Sequence, residues 1–161
     1  MKPQSLFTGV ILIGIGLYYF LNQWNIFALF NDLYTWPTSL CIIGIAFLLQ
    51  AYKAHIHDAI LPGVILFGLG IHFHVIQHFD LWSNNTGVFL LIISLGLLLQ
   101  AKKTKTGMFN GFLLLVISVY LLFQQEFFTI TSTVGINIQE FLSFWPVLLM
   151  IIGALVIFIK K

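Results

Sequence analysis

The histidines are the residues of this sequence best suited to chemistry. They form two groups, one of His55 and His57 beside Asp58, the other of His72, His74 and His78 shortly before Asp80. On a helix, residues four positions apart share one face, so His74 and His78 with Asp80 could supply three zinc ligands. No glutamate follows His74 in a zincin-like arrangement, and interfacial histidines that hydrogen-bond to neighbours or water explain the pattern better. We therefore predict no metal site.

Other reactive groups are sparse. Cys41 is the single cysteine, which excludes an internal disulfide or a redox pair. The sequence contains no nucleophile and base set, phosphate loop or basic nucleic-acid surface, so we predict no enzyme activity, no cofactor and no nucleic-acid partner. His72 lies deeper in its apolar run, and an ionisable group at membrane depth is a functional hypothesis. We keep it as a candidate for a polar path.

The elements that carry these residues are apolar runs. The 161 residues are 60% hydrophobic and 7% charged, with a mean hydropathy of +1.02, whereas a soluble domain has roughly 25% charged residues. About 20 apolar residues span a bilayer as a helix. The sequence therefore predicts an all-α integral membrane protein with six transmembrane helices, at about 6–21, 36–52, 60–78, 86–101, 108–124 and 144–159.

An internal repeat organises these runs. GVILIGIGLYYF at 9–20 returns as GVILFGLGIHFH at 63–74 and, less closely, as GFLLLVISVYLLF at 111–123. A second apolar run follows each copy. We predict three tandem helical hairpins in one membrane domain, over residues 1–53, 54–103 and 104–161. An even number of spans in each unit makes the repeats parallel, unlike the inverted repeats of many transporters.

Charge is sorted along the chain. Every lysine falls at a terminus or between hairpins, namely Lys2, Lys53, Lys102, Lys103, Lys105, Lys160 and Lys161. By the positive-inside rule, both termini are predicted to be cytoplasmic in a multi-pass protein of the cell membrane. The lysine-rich edge could also attract anionic lipid headgroups.

Small residues recur seven positions apart, which is two helical turns. The pairs are Gly9/Gly16, Gly63/Gly70, Gly111/Ser118, Gly87/Ser94, Pro37/Gly44 and Pro146/Gly153. Small residues on one stripe let helix backbones approach closely, so these glycines predict packing seams. Pro37 and Pro146 each follow a tryptophan and are predicted to begin helices, where proline lacks no needed donor.

The repeated G-[VI]-[IL]-L-[IL]-G motif, the Trp-Pro pairs and the I-I-G motif at 42–44 and 151–153 together resemble the LiaI–LiaF-like transmembrane region of Gram-positive bacteria. The resemblance covers nearly the whole chain. It implies a role in the envelope stress response, because LiaF-like members restrain a sensor kinase and LiaI-like members anchor a coat protein similar to phage-shock protein A.

Two classes of function follow from the sequence. The favoured one is a non-enzymatic scaffold or regulator in the lipid bilayer that contacts another membrane protein, either a sensor kinase or a coat-protein system. The alternative is a small carrier or channel whose path runs between the hairpins past His72, Ser94, Ser118 and Asn110. A water-filled cavity lined by these groups would favour the carrier, and a dry core with glycine seams would favour the scaffold.

Overall fold

The computed structural model describes residues 3–24, 35–78 and 86–124, and the single positions 147, 150, 151 and 153. The chain divides into two units, Met1–Leu122 and Phe123–Lys161. The helices of the first unit are α1 Pro3–Gln23, α2 Trp36–Lys53, α3 Ile60–His78, α4 Thr86–Thr104 and α5 Met108–Leu122, with a 3₁₀ turn His57–Ala59 before α3. The described residues contain no strand. The all-helical prediction is thereby confirmed for them.

In the second unit, the four single positions are helical. The predicted sixth span, 144–159, otherwise lies outside the described residues, as does Pro146.

Three helical segments are long and apolar enough to cross a membrane, namely Gln4–Gln23, His57–Gln77 and Thr86–Thr104. The apolar helix α5 is shorter, at 15 residues. Helix α2 is not among the three, because polar residues at both of its ends, such as Thr38 and Gln50, lower its mean hydropathy. The structure thus supports a multi-pass membrane protein, while the number of six spans stays a prediction.

The helices pack in chain order. Contact is most extensive between α2 and α3 and between α4 and α5, the two pairs joined by short connections, and α1 packs on α2. A buried cluster of Ala51, Ala59 and Ile60 ties the 3₁₀ turn to the end of α2. Many large apolar side chains elsewhere are exposed, as is expected of a surface in contact with lipid: 67% of Leu12 and 70% of Phe109 are accessible.

The two closely packed pairs make matching contacts. A Cβ atom built on Gly63 would lie 3.0 Å from Leu48 Cγ, and one built on Gly111 would lie 2.9 Å from Leu98 Cγ. Leu48 and Leu98 stand fifty positions apart in the two copies of Leu-Leu-Gln-Ala. At the other end of each pair, Cβ atoms on Gly70 and Gly87 would lie 2.9 Å from Pro37 O and 3.0 Å from Ser118 O.

Both connections turn through the left-handed region. After α2, the Ala54 N–H donates to Gln50 O at 3.0 Å, and His55 has φ +57°. After α4, the Lys105 N–H donates to Ala101 O at 2.7 Å, and Lys105 has φ +59°. Left-handed backbone costs a residue with a Cβ atom about 1–2 kcal/mol, which glycine avoids.

Lys105→Gly is therefore expected to stabilise the protein, by about 0.5–1 kcal/mol once the larger chain entropy of glycine is subtracted. Gly107, at φ +80°, provides the opposite case, and Gly107→Ala is expected to destabilise by about 1 kcal/mol. Reversible unfolding in mixed micelles measures both. Equal effects of the two variants would contradict the left-handed assignment of this connection.

Candidate functional site

Two of the predicted histidines lie where α3 meets its neighbours. His74 is held against α2, because its Nε2 lies 3.0 Å from Thr38 Oγ1. Beside this pair, the Trp36 and Phe73 rings pack with centroids 4.7 Å apart. The α2 helix begins at Trp36 with Pro37 in its first turn, which brings Thr38 opposite His74.

His72 is the most deeply buried ionisable side chain of the described residues, with 4% of its surface accessible. Its ring stands edge-on to Phe89 of α4, with centroids 5.1 Å apart, and lies 5.7 Å from the Phe73 ring. Nε2 of His72 is buried, and no described residue forms a hydrogen bond with it. An unsatisfied polar atom among aromatic rings is costly.

Most of the metal candidate lies outside the part of the chain that the structure describes. No group of three or more histidine, cysteine, aspartate or glutamate side chains that could hold a metal ion occurs there. Asp80 and the His78 side chain lie outside the described residues, so the disfavoured set of His74, His78 and Asp80 is not tested, and the absence of a metal site stays a prediction.

The hydroxyl groups of the predicted polar path are satisfied locally. Ser94 and Ser118 have no accessible surface. The Ser94 Oγ donates to Leu91 O at 2.8 Å, and the Ser118 Oγ donates to Leu115 O at 2.7 Å, each within its own helix. Asn110, by contrast, is exposed. These serines therefore act as small packing residues at the helix contacts.

The glycines of the predicted seams fall into two groups. Those at 44, 63, 70 and 111 lie in close contact with a neighbouring helix, and a Cβ atom on Gly44 would lie 2.8 Å from Phe67 Cα. Cβ atoms on Gly9, Gly16 and Gly153 would meet no atom of the described residues within 4 Å. For these three, the packing role stays a prediction.

Sequence reasoning missed a second set of contacts. A Cβ atom on Gly14 would lie 3.6 Å from Ile42 Cβ, and one on Gly68 would lie 3.5 Å from Ile92 Cβ. Helices α1 and α3 therefore each place a glycine against an isoleucine of the next helix. The signal was present, because Gly14 and Gly68 occupy the same place in the repeated GVILxGxG motif. Neither glycine belongs to one of the pairs of small residues spaced seven positions apart, so the spacing did not predict these contacts.

The outward face of α1 carries the unpartnered glycines. Phe7 packs on Phe47 of α2 with ring centroids 4.7 Å apart, and Gly14 lies on the same side. A helix turns about 100° per residue, so Gly9 and Gly16 lie roughly opposite. Around this glycine stripe stand the exposed side chains of Leu12, Ile13, Tyr19 and Phe20. We call this surface the outward face of α1.

The lysine-bearing end of the molecule contains a polar contact of its own. The Gln100 Nε2 donates to Asp58 Oδ1 at 3.3 Å, which ties α4 to the 3₁₀ turn. The Lys103 ammonium lies 5.5 Å from the centre of the Tyr52 ring, in cation–π geometry. Neither contact was predicted, because the residues are 42 and 51 positions apart and meet only through helix packing.

Apolar helices that pack through glycine contacts and expose large apolar side chains define an all-helical membrane protein. The family model of the LiaF transmembrane domain matches residues 7–107. The chain therefore belongs to this family, as the motifs of its repeats predict.

The chain is also similar to a protein of Bacillus subtilis (strain 168) described as the uncharacterized membrane protein YsxD. The two are 24% identical over 161 residues, which is 100% of this chain and 97% of the other. No solved structure matches the chain.

Proposed function

We propose that this protein is a non-enzymatic scaffold or regulator of the bacterial envelope stress response that acts through helix–helix contacts in the cell membrane. Its partner is another membrane protein, either a sensor kinase or a coat-protein system. Six spans in three tandem hairpins, with both termini in the cytoplasm, complete the proposal. Membership of the LiaF transmembrane domain family supports the envelope-stress role.

The outward face of α1 is the observation that carries the proposal. Two glycines seven residues apart leave a shallow stripe, and no described atom would lie within 4 Å of a Cβ atom at either of them. The adjacent Leu12 and Ile13 are 67% and 72% exposed. Small residues on a stripe flanked by large ones form the surface on which another transmembrane helix packs closely.

Matching contacts in α2–α3 and α4–α5 support the tandem arrangement. Gly63 meets Leu48 as Gly111 meets Leu98, and the glycines Gly14 and Gly68 each meet an isoleucine of the next helix. A chain built by repeating one helical unit would produce this correspondence.

A pull-down from native membranes in mild detergent, with a tag after Lys161, tests the proposal. We expect mass spectrometry to identify a sensor kinase or a phage-shock-like coat protein. Gly16→Leu is expected to reduce that recovery at least tenfold, because four added carbon atoms fill the stripe. The same variant should be no less stable than the wild type, since no described atom lies within 4 Å of a Cβ atom at Gly16 and leucine favours helix over glycine. Recovery of the wild-type protein alone, or undiminished recovery with Gly16→Leu, would contradict the proposal.

The carrier alternative has one observation in its favour, namely the buried Nε2 of His72, which no described residue pairs by a hydrogen bond. Against it, the hydroxyls of Ser94 and Ser118 bond within their own helices. Flux of protons or small cations into liposomes that is lost in His72→Phe would establish the alternative. We expect no flux above that of empty liposomes for either protein.

A further inference from the structure

A groove opens between α4 and α5 near the last turn of α4. Its volume is about 560 Å³, which falls in the range of roughly 300–1,000 Å³ typical of small-ligand sites. The walls are formed by Leu95, Leu99, Lys102, Met108, Phe109 and Phe112. Leu98 joins the two walls, because it lines the groove and also packs on Gly111. We call this the α4–α5 groove.

The surface that lines the groove is apolar, and Lys102 contributes the aliphatic part of its side chain to it. The flexible stem lets the ammonium reach the end of the groove. The α4 residues that line it follow the spacing of a single helix face, at positions 95, 98, 99 and 102. Lys102 is the charged member of this face and the last one along the helix. Phe109 and Phe112, which are 70% and 60% exposed, supply a broad aromatic wall opposite.

Two charged side chains near the groove, Lys103 and Asp58, make contacts with other residues. Lys103 lies over the Tyr52 ring, and Asp58 accepts a hydrogen bond from Gln100. A helix turns about 100° per residue, so Lys103 and Gln100 both point toward α2 and the 3₁₀ turn, away from the groove. Among the described residues that line the groove, Lys102 is therefore the one cation, and none is acidic.

We propose that the α4–α5 groove binds one anionic phospholipid. An acyl chain lies against Leu99, Phe109 and Phe112, and the lipid phosphate pairs with the Lys102 ammonium. An apolar groove that ends in a cation complements a molecule whose apolar chain ends in an anion. The same place in the α2 helix, fifty positions earlier, holds Tyr52 and lacks the cation, so the specificity belongs to α4–α5.

Native mass spectrometry of the full-length protein with equimolar dioleoyl phosphatidylglycerol and dioleoyl phosphatidylcholine tests the proposal. We expect the wild type to retain one phosphatidylglycerol in preference to phosphatidylcholine. Lys102→Gln should reduce that preference roughly fivefold, the equivalent of about 1 kcal/mol for one lysine at a membrane surface. Lys103→Gln, one residue away, is the matched control and should leave the preference within about twofold of the wild type.

A second pair of variants tests the groove itself. Leu99→Trp fills the space for the acyl chain and should reduce bound phosphatidylglycerol several-fold, whereas Leu12→Trp, on exposed α1, should not. Soluble glycerol phosphate at the same concentration should fail to displace the lipid, because it lacks the acyl chains.

Three results would overturn the proposal. Equal losses in the two lysine variants would mean that the lipid senses only the general charge of this edge. Displacement by glycerol phosphate would mean an anion site without a role for the groove. Failure of the wild type to retain phosphatidylglycerol above phosphatidylcholine would mean that the groove is covered by protein.

Discussion

Truncating Ile60 to alanine is expected to lower the free energy of unfolding by about 2–5 kcal/mol. Ile60 is among the largest side chains with no accessible surface. It joins the 3₁₀ turn to the α2 end through Ala51 and Ala59, and Phe47, Ile56 and Val64 pack around the cluster. Removing three carbon atoms leaves a cavity that the short side chains of Ala51 and Ala59 cannot fill, so packing contacts are lost outright.

Ile71→Ala is the matched control for Ile60→Ala. The residue type, the helix and the atoms removed are the same, but 45% of Ile71 is accessible. The Ile71 side chain contacts lipid or detergent both before and after unfolding, so we expect its truncation to lower the free energy of unfolding by less than about 1 kcal/mol. Unfolding in mixed micelles by sodium dodecyl sulfate gives both values. Similar losses in the two variants would show that the Ala51, Ala59 and Ile60 cluster is not the packed centre of this end.

Gly44→Ala is expected to destabilise the α2–α3 contact by about 1–3 kcal/mol. The added Cβ would lie 2.8 Å from both Cα and Cβ of Phe67, which is too close for two carbon atoms. A backbone atom cannot rotate away as a long side chain can. Either the two helices separate along their length or the contact is strained, and both reduce stability.

Gly16→Ala tests whether the loss at Gly44 reflects packing or only the exchange of glycine for alanine. The added methyl group at Gly16 meets no described atom within 4 Å, and alanine favours helix over glycine by about 1 kcal/mol. We expect Gly16→Ala to be neutral or stabilising under the same micelle conditions. A destabilised Gly16→Ala together with an unchanged Gly44→Ala would reverse the assignment of the two glycine faces.

The helices themselves could be predicted from the sequence. The apolar runs at 36–52, 60–78 and 86–101 fall within α2, α3 and α4, since continuous apolar runs of this length can satisfy their backbone in lipid only as helices. The Trp-Pro pair coincides with the first turn of α2. Both patterns involve residues close together in the chain, so a single sequence is enough to recognise them.

The partners of each helix could not be predicted in the same way. A seven-residue spacing shows that Gly63 and Gly70 share one face, but it does not say which helix that face meets. In the structure, they meet α2, at Leu48 and Pro37, and the most extensive contacts, α2 with α3 and α4 with α5, cross the predicted hairpin boundaries. The connections within these two pairs are short, which keeps their helices adjacent.

The candidate sites were harder to predict because they depend on contacts between distant residues. The depth of His72 in an apolar run made it a candidate for a polar path, but its packing on Phe89 is visible only in the structure. The contrast between Lys102 and Lys103 is equally invisible in sequence. It arises because one lysine lines a groove and the other lies over Tyr52, a residue 51 positions away.

Site-specific photo-crosslinking from α1 in living cells tests the central proposal most directly. A photoreactive amino acid at Leu12 lies on the outward face of α1, and the same amino acid at Ile11 points toward the α2 side, with Phe7 and Gly14. We expect Leu12 to capture a sensor kinase or a phage-shock-like coat protein and Ile11 to capture neither. Crosslinks to lipid alone at Leu12, or equal capture from the two positions, would contradict a docking role for this face.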